Sequence, residues 1–141
     1  MLDEIKVMLD DGAKSPSFAH PFDGGMDLYA NERAIIRPGD WATISTGTHL
    51  EIPPGYVGLV TSKSGLMAKA GLTCRGTIDH GYTGDIKAVV FNHSQKTYIV
   101  EKGDKVTQLV IIRCEHPRLR LVDELEDTDR GTGGFGSTGL R

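Results

Sequence analysis

Short runs of apolar and β-branched residues alternate with turn residues along most of this chain. Gly, Pro and Asp interrupt the apolar runs before a helical repeat can develop, and this pattern predicts strands. The predicted strands cover residues 5–9, 24–30, 34–36, 41–46, 48–52, 56–61, 72–78, 86–92, 96–100 and 106–112, and residues 119–122 end the regular structure. Short strands at such close intervals indicate an all-β sandwich, jelly roll or barrel.

One stretch departs from this β pattern. Residues 66–70 are good helix formers, Ser64 is suited to the N-cap and Gly71 to the C-terminal stop, so we expect a helix of little more than one turn. The start of that helix would present free amides, a hydroxyl and the Lys63 cation, which together suit an anion. Taken alone, a capped connector with a solvated lysine is the simpler interpretation.

A turn joins two of the predicted strands, 72–78 and 86–92. The His-Gly dipeptide at 80–81 supplies the reversal, because glycine adopts the positive φ that tight hairpin turns require. Asp79 stands at the corner of this hairpin, and Tyr82 follows three residues later. On their own, these two residues are an ordinary turn acid and a packed aromatic.

Two polar residues interrupt apolar strands and require partners. Asp27 follows two glycines at the start of one strand, and Gln108 lies inside the most apolar strand of the chain. Burying either side chain is unfavourable unless it is hydrogen-bonded. Asp27 either accepts hydrogen bonds from the amides of its own turn or belongs to a functional site.

Composition limits the class of protein. A chain of 141 residues with a net charge of −3 is one domain by length and lacks the positive charge of a typical nucleic-acid binder, so we expect no nucleic-acid partner. A small phosphate site is compatible with this charge balance. The two cysteines have no metal-binding spacing. We find no signal peptide and no membrane-spanning run, so we expect a cytoplasmic protein without a membrane partner.

The C-terminal residues differ in composition from the rest. Residues 123–129 are mostly acidic, and residues 130–141 are rich in glycine. Such a segment is typically flexible, yet its amides, hydroxyls and arginine could also fold over phosphates. We therefore divide the chain into a β-domain, residues 1–122, and an acidic linker with a glycine-rich arm, residues 123–141.

Five stretches, taken in order, resemble the motifs of the trimeric dUTPase family. They are residues 25–30 (GMDLYA), 62–68 (SKSGLMA), 76–84 (GTIDHGYTG), 103–109 (GDKVTQL) and 130–139 (RGTGGFGSTG). The resemblance implies a jelly-roll-like β-barrel with one short helix, assembled as a homotrimer. It also implies hydrolysis of dUTP to dUMP and pyrophosphate with Mg²⁺, which limits uracil in DNA and supplies dUMP for dTMP synthesis.

The resemblance also assigns the nucleoside-binding positions. Asp79 would orient and activate the water that attacks the α-phosphorus, as a general base does, and would meet the sugar 3′-hydroxyl. Tyr82 would lie beneath the deoxyribose and exclude a 2′-hydroxyl. Uracil would be bound by main-chain groups around Gly76, Thr77, Ile78 and Lys87.

The remaining implied positions surround the phosphates and the metal. Phosphate oxygens would be held by Lys63, Ser64, Gly65 and Gln108. The arm of a neighbouring subunit would supply Arg130, Ser137 and Thr138, which close over the γ-phosphate, and Phe135, which stacks on uracil. Gly136 of the arm is also implied to bind substrate. Asp27 would act on Mg²⁺ indirectly, through water. Because Mg²⁺ tends to keep its waters and to bind substrate phosphates, the lack of a carboxylate cluster is no objection.

The chain departs from the family pattern at two places. Lys63 stands where the family most often has Arg, and an ammonium point charge holds phosphate less rigidly than a bidentate guanidinium. The connection at residues 72–76 is a few residues shorter than is common, and an Asn often found there is missing. This second departure affects the details of uracil binding.

Two other functions share parts of the pattern. A dCTP deaminase has a similar hairpin but needs a proton-transferring Glu on the following strand, and residues 86–91 contain none. The alternative from another class is a non-catalytic or moonlighting dUTPase-like regulator of a partner protein. The presence of Asp79, Tyr82 and Arg130 favours the enzyme.

Overall fold

The computed structural model describes residues 2–141, which form ten strands and one helix. The strands are β1 (Lys6–Leu9), β2 (Met26–Tyr29), β3 (Ala34–Ile36), β4 (Trp41–Ser45), β5 (Thr48–Glu51), β6 (Tyr56–Thr61), β7 (Leu72–Ile78), β8 (Lys87–Asn92), β9 (Tyr98–Val100) and β10 (Lys105–Arg113), and the helix is α1 (Ser64–Ala70). All pairings among these strands are antiparallel. The predicted all-β class with one short helix is confirmed.

Three sheets share a single apolar core. Six strands form the main sheet in the order β2-β10-β6-β7-β8-β4, while β1-β5 and β3-β9 form two ribbons. The buried core includes Leu28, Ile44 and Leu109 of the main sheet together with Leu50 and Val100 of the ribbons. Because one continuous cluster joins all three sheets, the strands curl around it as a jelly-roll-like barrel.

β7 changes its partner along its length. Residues 72–74 pair with residues 90–92 of β8, whereas residues 75–78 pair with residues 58–61 of β6. From residue 75 onward β7 and β8 share no ladder within the described chain, so the two strands separate toward the hairpin turn. The N–H and C=O groups on the facing edges of the two strands therefore do not hydrogen-bond to each other there.

Helix α1 is longer than predicted and has a different N-cap. The N-cap is Lys63, with extended backbone (φ −80°, ψ 128°), and its carbonyl accepts the first helical bond from Met67. The prediction of Ser64 as N-cap is therefore wrong, because Ser64 already has helical geometry. Gly71 ends the helix at φ 65° and its N–H bonds to carbonyls of the last turn, which confirms the predicted stop. In residues 2–141 no helix combines the length and apolar character that a membrane crossing requires.

The regular structure ends at Arg113, earlier than the sequence pattern predicts. Residues 119–122, expected to end the regular structure, have no secondary structure, and the side chains of Leu119 and Leu121 are 86% and 97% exposed. Alternation of apolar and polar residues favours a strand only where a neighbouring strand offers hydrogen bonds. In the described chain these residues have no such neighbour.

Candidate active site

A cavity of about 290 Å³ opens where β7 and β8 separate. It is lined by Val60, Arg75, Gly76, Thr77, Ile78, Asp79, Tyr82, Asp85, Lys87 and Val89. We call this space the hairpin cavity. It brings together the residues predicted to bind the base and sugar and the predicted catalytic acid. Its lining combines apolar surface, two cations, two acids and free strand edges, which suits a ligand with both apolar and hydrogen-bonding groups.

The turn of the hairpin holds Tyr82 in one place. Its N–H donates to the carbonyl of Asp79 at 3.2 Å, and its phenol donates to the carbonyl of Asp85 at 2.9 Å. A Cβ at Gly84 would lie 2.6 Å from Tyr82 Oη and 2.7 Å from Cζ, so glycine is required for the ring to lie there. The ring is about half exposed and is thus available to a ligand.

Asp79 lies at the rim of the hairpin cavity, directly after the last residue of β7. Its side chain is exposed, and within residues 2–141 its carboxylate has no hydrogen-bond or ion-pair partner. A carboxylate with free lone pairs at the mouth of a cavity can accept a proton from a bound water.

A second group of predicted residues meets across three neighbouring strands. Gln108 of β10 lies opposite Asp27 of β2 on one side and opposite Thr61 of β6 on the other. Lys63 follows Thr61 by two residues, and its ammonium group hydrogen-bonds to Asp27. The strand order of the sheet therefore joins residues that are far apart in sequence.

Asp27 is the buried centre of an ion cluster with two partly exposed lysines, Lys63 and Lys105, which we call the Asp27 triad. Its carboxylate is 5% exposed; Oδ1 accepts a hydrogen bond from Lys63, and Oδ2 lies 2.8 Å from Lys105 Nζ. Burial alone would raise the pKa of Asp27, but the nearby Lys105 and Lys63 ammonium groups outweigh burial and lower it. The interpretation of Asp27 as a cap for its own turn is wrong, because its carboxylate contacts lysines instead.

Gln108 is held beside this triad by one hydrogen bond, in space that Gly25 leaves open. Its Nε2 donates to the carbonyl of Ser62 at 3.0 Å. A Cβ at Gly25 would lie 2.8 Å from its Oε1, so the absence of a side chain at Gly25 leaves room for the amide. Ser64 and Gly65 are exposed at the start of α1, directly after Lys63.

The glycine-rich arm folds on itself. Arg130 Nε donates to the carbonyl of Gly133 at 2.9 Å, and all hydrogen bonds of residues 128–141 in the described chain lie within that segment. The arm forms its own cavity of about 530 Å³, whose lining includes the predicted residues Arg130, Phe135, Gly136, Ser137 and Thr138. The Phe135 side chain is fully exposed. Within one chain, the arm therefore joins neither of the other groups.

Asp79 and the Asp27 triad lie at different positions along the sheet. Thr61, beside Gln108, pairs with Arg75 of β7, and Asp79 lies four residues further on. At about 3.4 Å per residue, this places Asp79 about 14 Å along the strand from that pairing. One chain thus presents three separate groups of predicted residues.

Three charged residues in these groups were not predicted from the sequence. Arg75 and Asp85 line the hairpin cavity, and Lys105 completes the Asp27 triad. Lys105 follows the turn at 103–104, so its sequence context is that of an ordinary solvated lysine. The signal that identifies it is the pairing of β10 with β2, which a local pattern does not reveal.

Known proteins are similar in sequence to most of this chain. The dUTPase family model matches residues 11–139. The deoxyuridine 5′-triphosphate nucleotidohydrolase of Clostridium acetobutylicum is 43% identical over 136 residues, which cover 94% of this chain and 94% of that protein. The protein of the same name from Thermobifida fusca is 44% identical over 135 residues, covering 93% of this chain and 75% of that protein.

Solved structures share the fold. The dUTPase of Staphylococcus bacteriophage 80alpha with dUpNHpp has a TM-score of 0.92 and 32% identity, covering 98% of this chain and 99% of that chain. A mutant dUTPase from phage phi11 of S. aureus, whose structure reveals the coordination of a structural Mg(II) ion, has a TM-score of 0.82 and 31% identity. That match covers 89% of this chain and 100% of the phage chain.

Proposed function

The chain belongs to the dUTPase family, and we propose that it is a dUTP diphosphatase, which hydrolyses dUTP to dUMP and pyrophosphate. The observation that carries this proposal is the hairpin cavity, where Asp79, Tyr82 and two free strand edges surround one space. Relatives named as nucleotidohydrolases favour the enzyme over a non-catalytic regulator and over a dCTP deaminase. The activity limits uracil in DNA and supplies dUMP for dTMP synthesis.

Asp79 is the catalytic residue of this proposal. A water held by its carboxylate attacks the α-phosphorus and gives its proton to Asp79 as the new P–O bond forms. The bond from the α-phosphorus to the bridging oxygen breaks, and pyrophosphate leaves with the electron pair. Since phosphoryl transfer needs little covalent help from the protein, holding water and substrate in line supplies most of the catalysis.

The hairpin also selects the nucleoside. Tyr82, fixed by its bonds within the turn, lies beneath the sugar and leaves no room for a 2′-hydroxyl. Uracil enters between the separated strands and hydrogen-bonds to main-chain groups around Gly76, Thr77, Ile78 and Lys87. Main-chain recognition is supported by the absence of a β7–β8 ladder from residue 75 onward in the described chain.

The Asp27 triad and its neighbours bind the phosphates. With one carboxylate and two ammonium groups, the triad carries a net positive charge although the whole chain is negative. The proposed phosphate ligands from this region are Lys63, Ser64, Gly65 and Gln108. The arm adds Arg130, Ser137 and Thr138 over the γ-phosphate, with Gly136 beside them and Phe135 stacked on the base.

Mg²⁺ is the cofactor of this family, and the residues of this chain fit an ion that is bound mainly by substrate phosphates and water. Within residues 2–141 no three His, Cys, Asp or Glu side chains converge, so substrate phosphates and water supply the ligands, as Mg²⁺ prefers. Asp27 Oδ2 is buried and accepts no regular hydrogen bond, although Lys105 Nζ lies 2.8 Å away. Asp27 would therefore act on Mg²⁺ only through water, and the ion, if bound with the substrate phosphates, would supply charge neutralisation there.

The active site is proposed to be shared between subunits of a homotrimer. Asp79 and the Asp27 triad lie apart along the sheet of one chain, and the arm hydrogen-bonds only within itself in the described residues, so contributions from different copies would complete the site. Large apolar side chains that are exposed in a single chain also support assembly, among them Ile35, Trp41, Ile99, Leu119 and Leu121.

Pyrophosphate release tests this function. The substrates are dUTP, UTP, dCTP and dTTP with Mg²⁺, and the proteins are wild type, Asp79→Asn and the exposed-linker control Asp123→Asn. We expect release from dUTP alone, lowered at least about 10²-fold in Asp79→Asn and unchanged in the control. In ¹⁸O-labelled water the label should enter dUMP. Comparable release from UTP, or full activity of Asp79→Asn, would contradict the proposal.

A further inference from the structure

His49 joins three parts of the fold through its imidazole ring. It lies in β5, opposite Met8 of β1. Its Nδ1 is 2.8 Å from the carbonyl oxygen of Thr83 in the hairpin turn, and its Nε2 is 2.9 Å from Oδ1 of Asp10, which follows β1. The His49 side chain is 16% exposed and that of Asp10 is 48% exposed.

Both ring contacts of His49 are with groups that only accept hydrogen bonds. A neutral imidazole has one N–H and can satisfy one of them, whereas the imidazolium donates to both. The hydrogen bond with Thr83 contributes most to a raised pKa of His49, and Asp10 and Asp85 add to it against the opposing effect of burial. Geometry and charge therefore favour the same protonated ring.

The segment that His49 holds includes the neighbour of Tyr82. On the far side of Thr83, the N–H of Gly47 donates to Asp85 Oδ1 at 2.8 Å, and the Asp85 carbonyl accepts the Tyr82 phenol at 2.9 Å. The hydrogen bond from Gly47 to Asp85 does not depend on the protonation of His49. The hydrogen bond between His49 and Thr83 does, and deprotonation of the ring removes it.

We propose that the His49 imidazolium positions Tyr82 by holding Thr83 beside it, so that selection against a 2′-hydroxyl weakens as the ring loses its proton. The inference rests on the proposed function, in which Tyr82 selects the sugar. His49 is a positioning residue, since it acts through Thr83. The Asp10 carboxylate is a stronger hydrogen-bond acceptor than the Thr83 carbonyl. In the neutral ring, the hydrogen therefore stays on Nε2, where it bonds to Asp10, and is lost from Nδ1.

The charged groups around His49 are few. Asp10, from the end of β1, and Asp85, from the hairpin turn, are the acids whose charges act on the ring. Lys6 and Glu51 line the same cavity of about 330 Å³ beside His49 and form an ion pair at 3.0 Å, so together they add no net charge. The raised pKa of His49 therefore depends chiefly on the Thr83 carbonyl, and the two aspartates add to it.

The first test follows sugar selection against pH. The kcat/KM for dUTP is divided by that for UTP from about pH 5.5 to about pH 9, a range that spans histidine titration. The two substrates share base and triphosphate, so ionisation of Asp79 or of substrate cancels in the ratio. Wild type should lose selectivity about tenfold as pH rises, and His49→Gln should stay low and flat. His116→Gln should follow wild type, since the His116 ring contacts Cys114 Sγ at 3.8 Å, outside the proposed site.

The second test titrates the His49 ring by NMR in wild type and in Asp10→Asn, which keeps the oxygen acceptor but removes its charge. The midpoint of the ring titration should match that of the selectivity profile, and both should move to lower pH in Asp10→Asn. The inference would be overturned if the selectivity of active wild type did not change with pH. It would also be overturned if the two midpoints were the same in Asp10→Asn as in wild type. If no nucleotide is hydrolysed, the proposed function fails. The ratio of dissociation constants for dUpNHpp and UpNHpp over the same pH range then decides the inference independently.

Discussion

At the scale of single residues, Gly84 determines where the Tyr82 ring lies. A methyl group at this position would overlap Tyr82 Oη and Cζ at 2.6 and 2.7 Å, so the ring must move. We predict that Gly84→Ala lowers the preference for dUTP over UTP about tenfold, because a displaced ring no longer excludes the 2′-hydroxyl. The check is kcat/KM for both nucleotides. Gly24→Ala is the matched control, since its added methyl has nothing within 4 Å. An unchanged preference for dUTP over UTP in Gly84→Ala would show that the position of the Tyr82 ring does not determine sugar selection.

Gly25 has the corresponding role for Gln108. Its added Cβ would lie 2.8 Å from Oε1 and 3.2 Å from Cδ of Gln108, so the amide would swing away. We expect Gly25→Ala to lower kcat for dUTP roughly tenfold with little loss of stability, because the end of a flexible side chain moves easily while a phosphate contact is lost. Steady-state kinetics and thermal unfolding check this, again against Gly24→Ala. Full activity with a displaced Gln108 would remove this residue from the phosphate site.

The sequence identified which residues are unusual but not what they contact. Asp27 and Gln108 are conspicuous because polar groups in apolar strands need partners. Their partners lie across strand pairings that are distant in sequence, and Lys105 gave no local signal at all. Conversely, the residues that the resemblance assigned to the nucleoside all line the hairpin cavity, because they are close together along one hairpin.

At the scale of elements, the end of helix α1 depends on Gly71. This residue has φ 65°, and a Cβ there would approach Ser94 Cβ at 3.2 Å and Ser94 N at 3.3 Å. We predict that Gly71→Ala lowers the free energy of unfolding by about 1–2 kcal/mol from backbone strain, with a further loss from the contact. Gly39→Ala, at φ 75° with nothing within 4 Å, should show the strain alone. Denaturant unfolding at one fixed protein concentration makes the comparison. Equal losses in the two variants would mean that the contact with Ser94 has no energetic effect.

The elements were more predictable than their arrangement. Ala34–Ile36, Tyr56–Thr61 and Leu72–Ile78 agree with the predicted strands residue for residue, because strand propensity and turn residues are local. The change of partner within β7, which opens the hairpin cavity, has no local signal. Residues 119–122 show the opposite case, in which a suitable local pattern forms no strand because residues 2–141 offer it no neighbouring edge.

At the scale of the whole molecule, we propose that several copies of the chain combine to complete the site. Asp79 and the Asp27 triad lie apart along the sheet of one chain, the arm hydrogen-bonds only within itself in the described residues, and exposed apolar side chains offer surface for assembly. Sequence resemblance implied this sharing, but the position of an arm from another subunit depends on contacts between chains. A closed symmetric trimer would give each site the same set of contributions.

Mixing two inactive variants tests this sharing most directly. One variant is Asp79→Asn, and the other is a chain ending at residue 127, which lacks the arm but keeps every described strand. Each alone should release no pyrophosphate from dUTP. If Asp79 and the arm of one site come from different subunits, random trimers formed from equal amounts should regain about a quarter of wild-type activity. A parallel mixture of Asp79→Asn with the doubly altered chain should remain inactive. No recovery in the first mixture, although mixed trimers are shown to form, would place Asp79 and the arm of each site in one subunit and contradict the shared site.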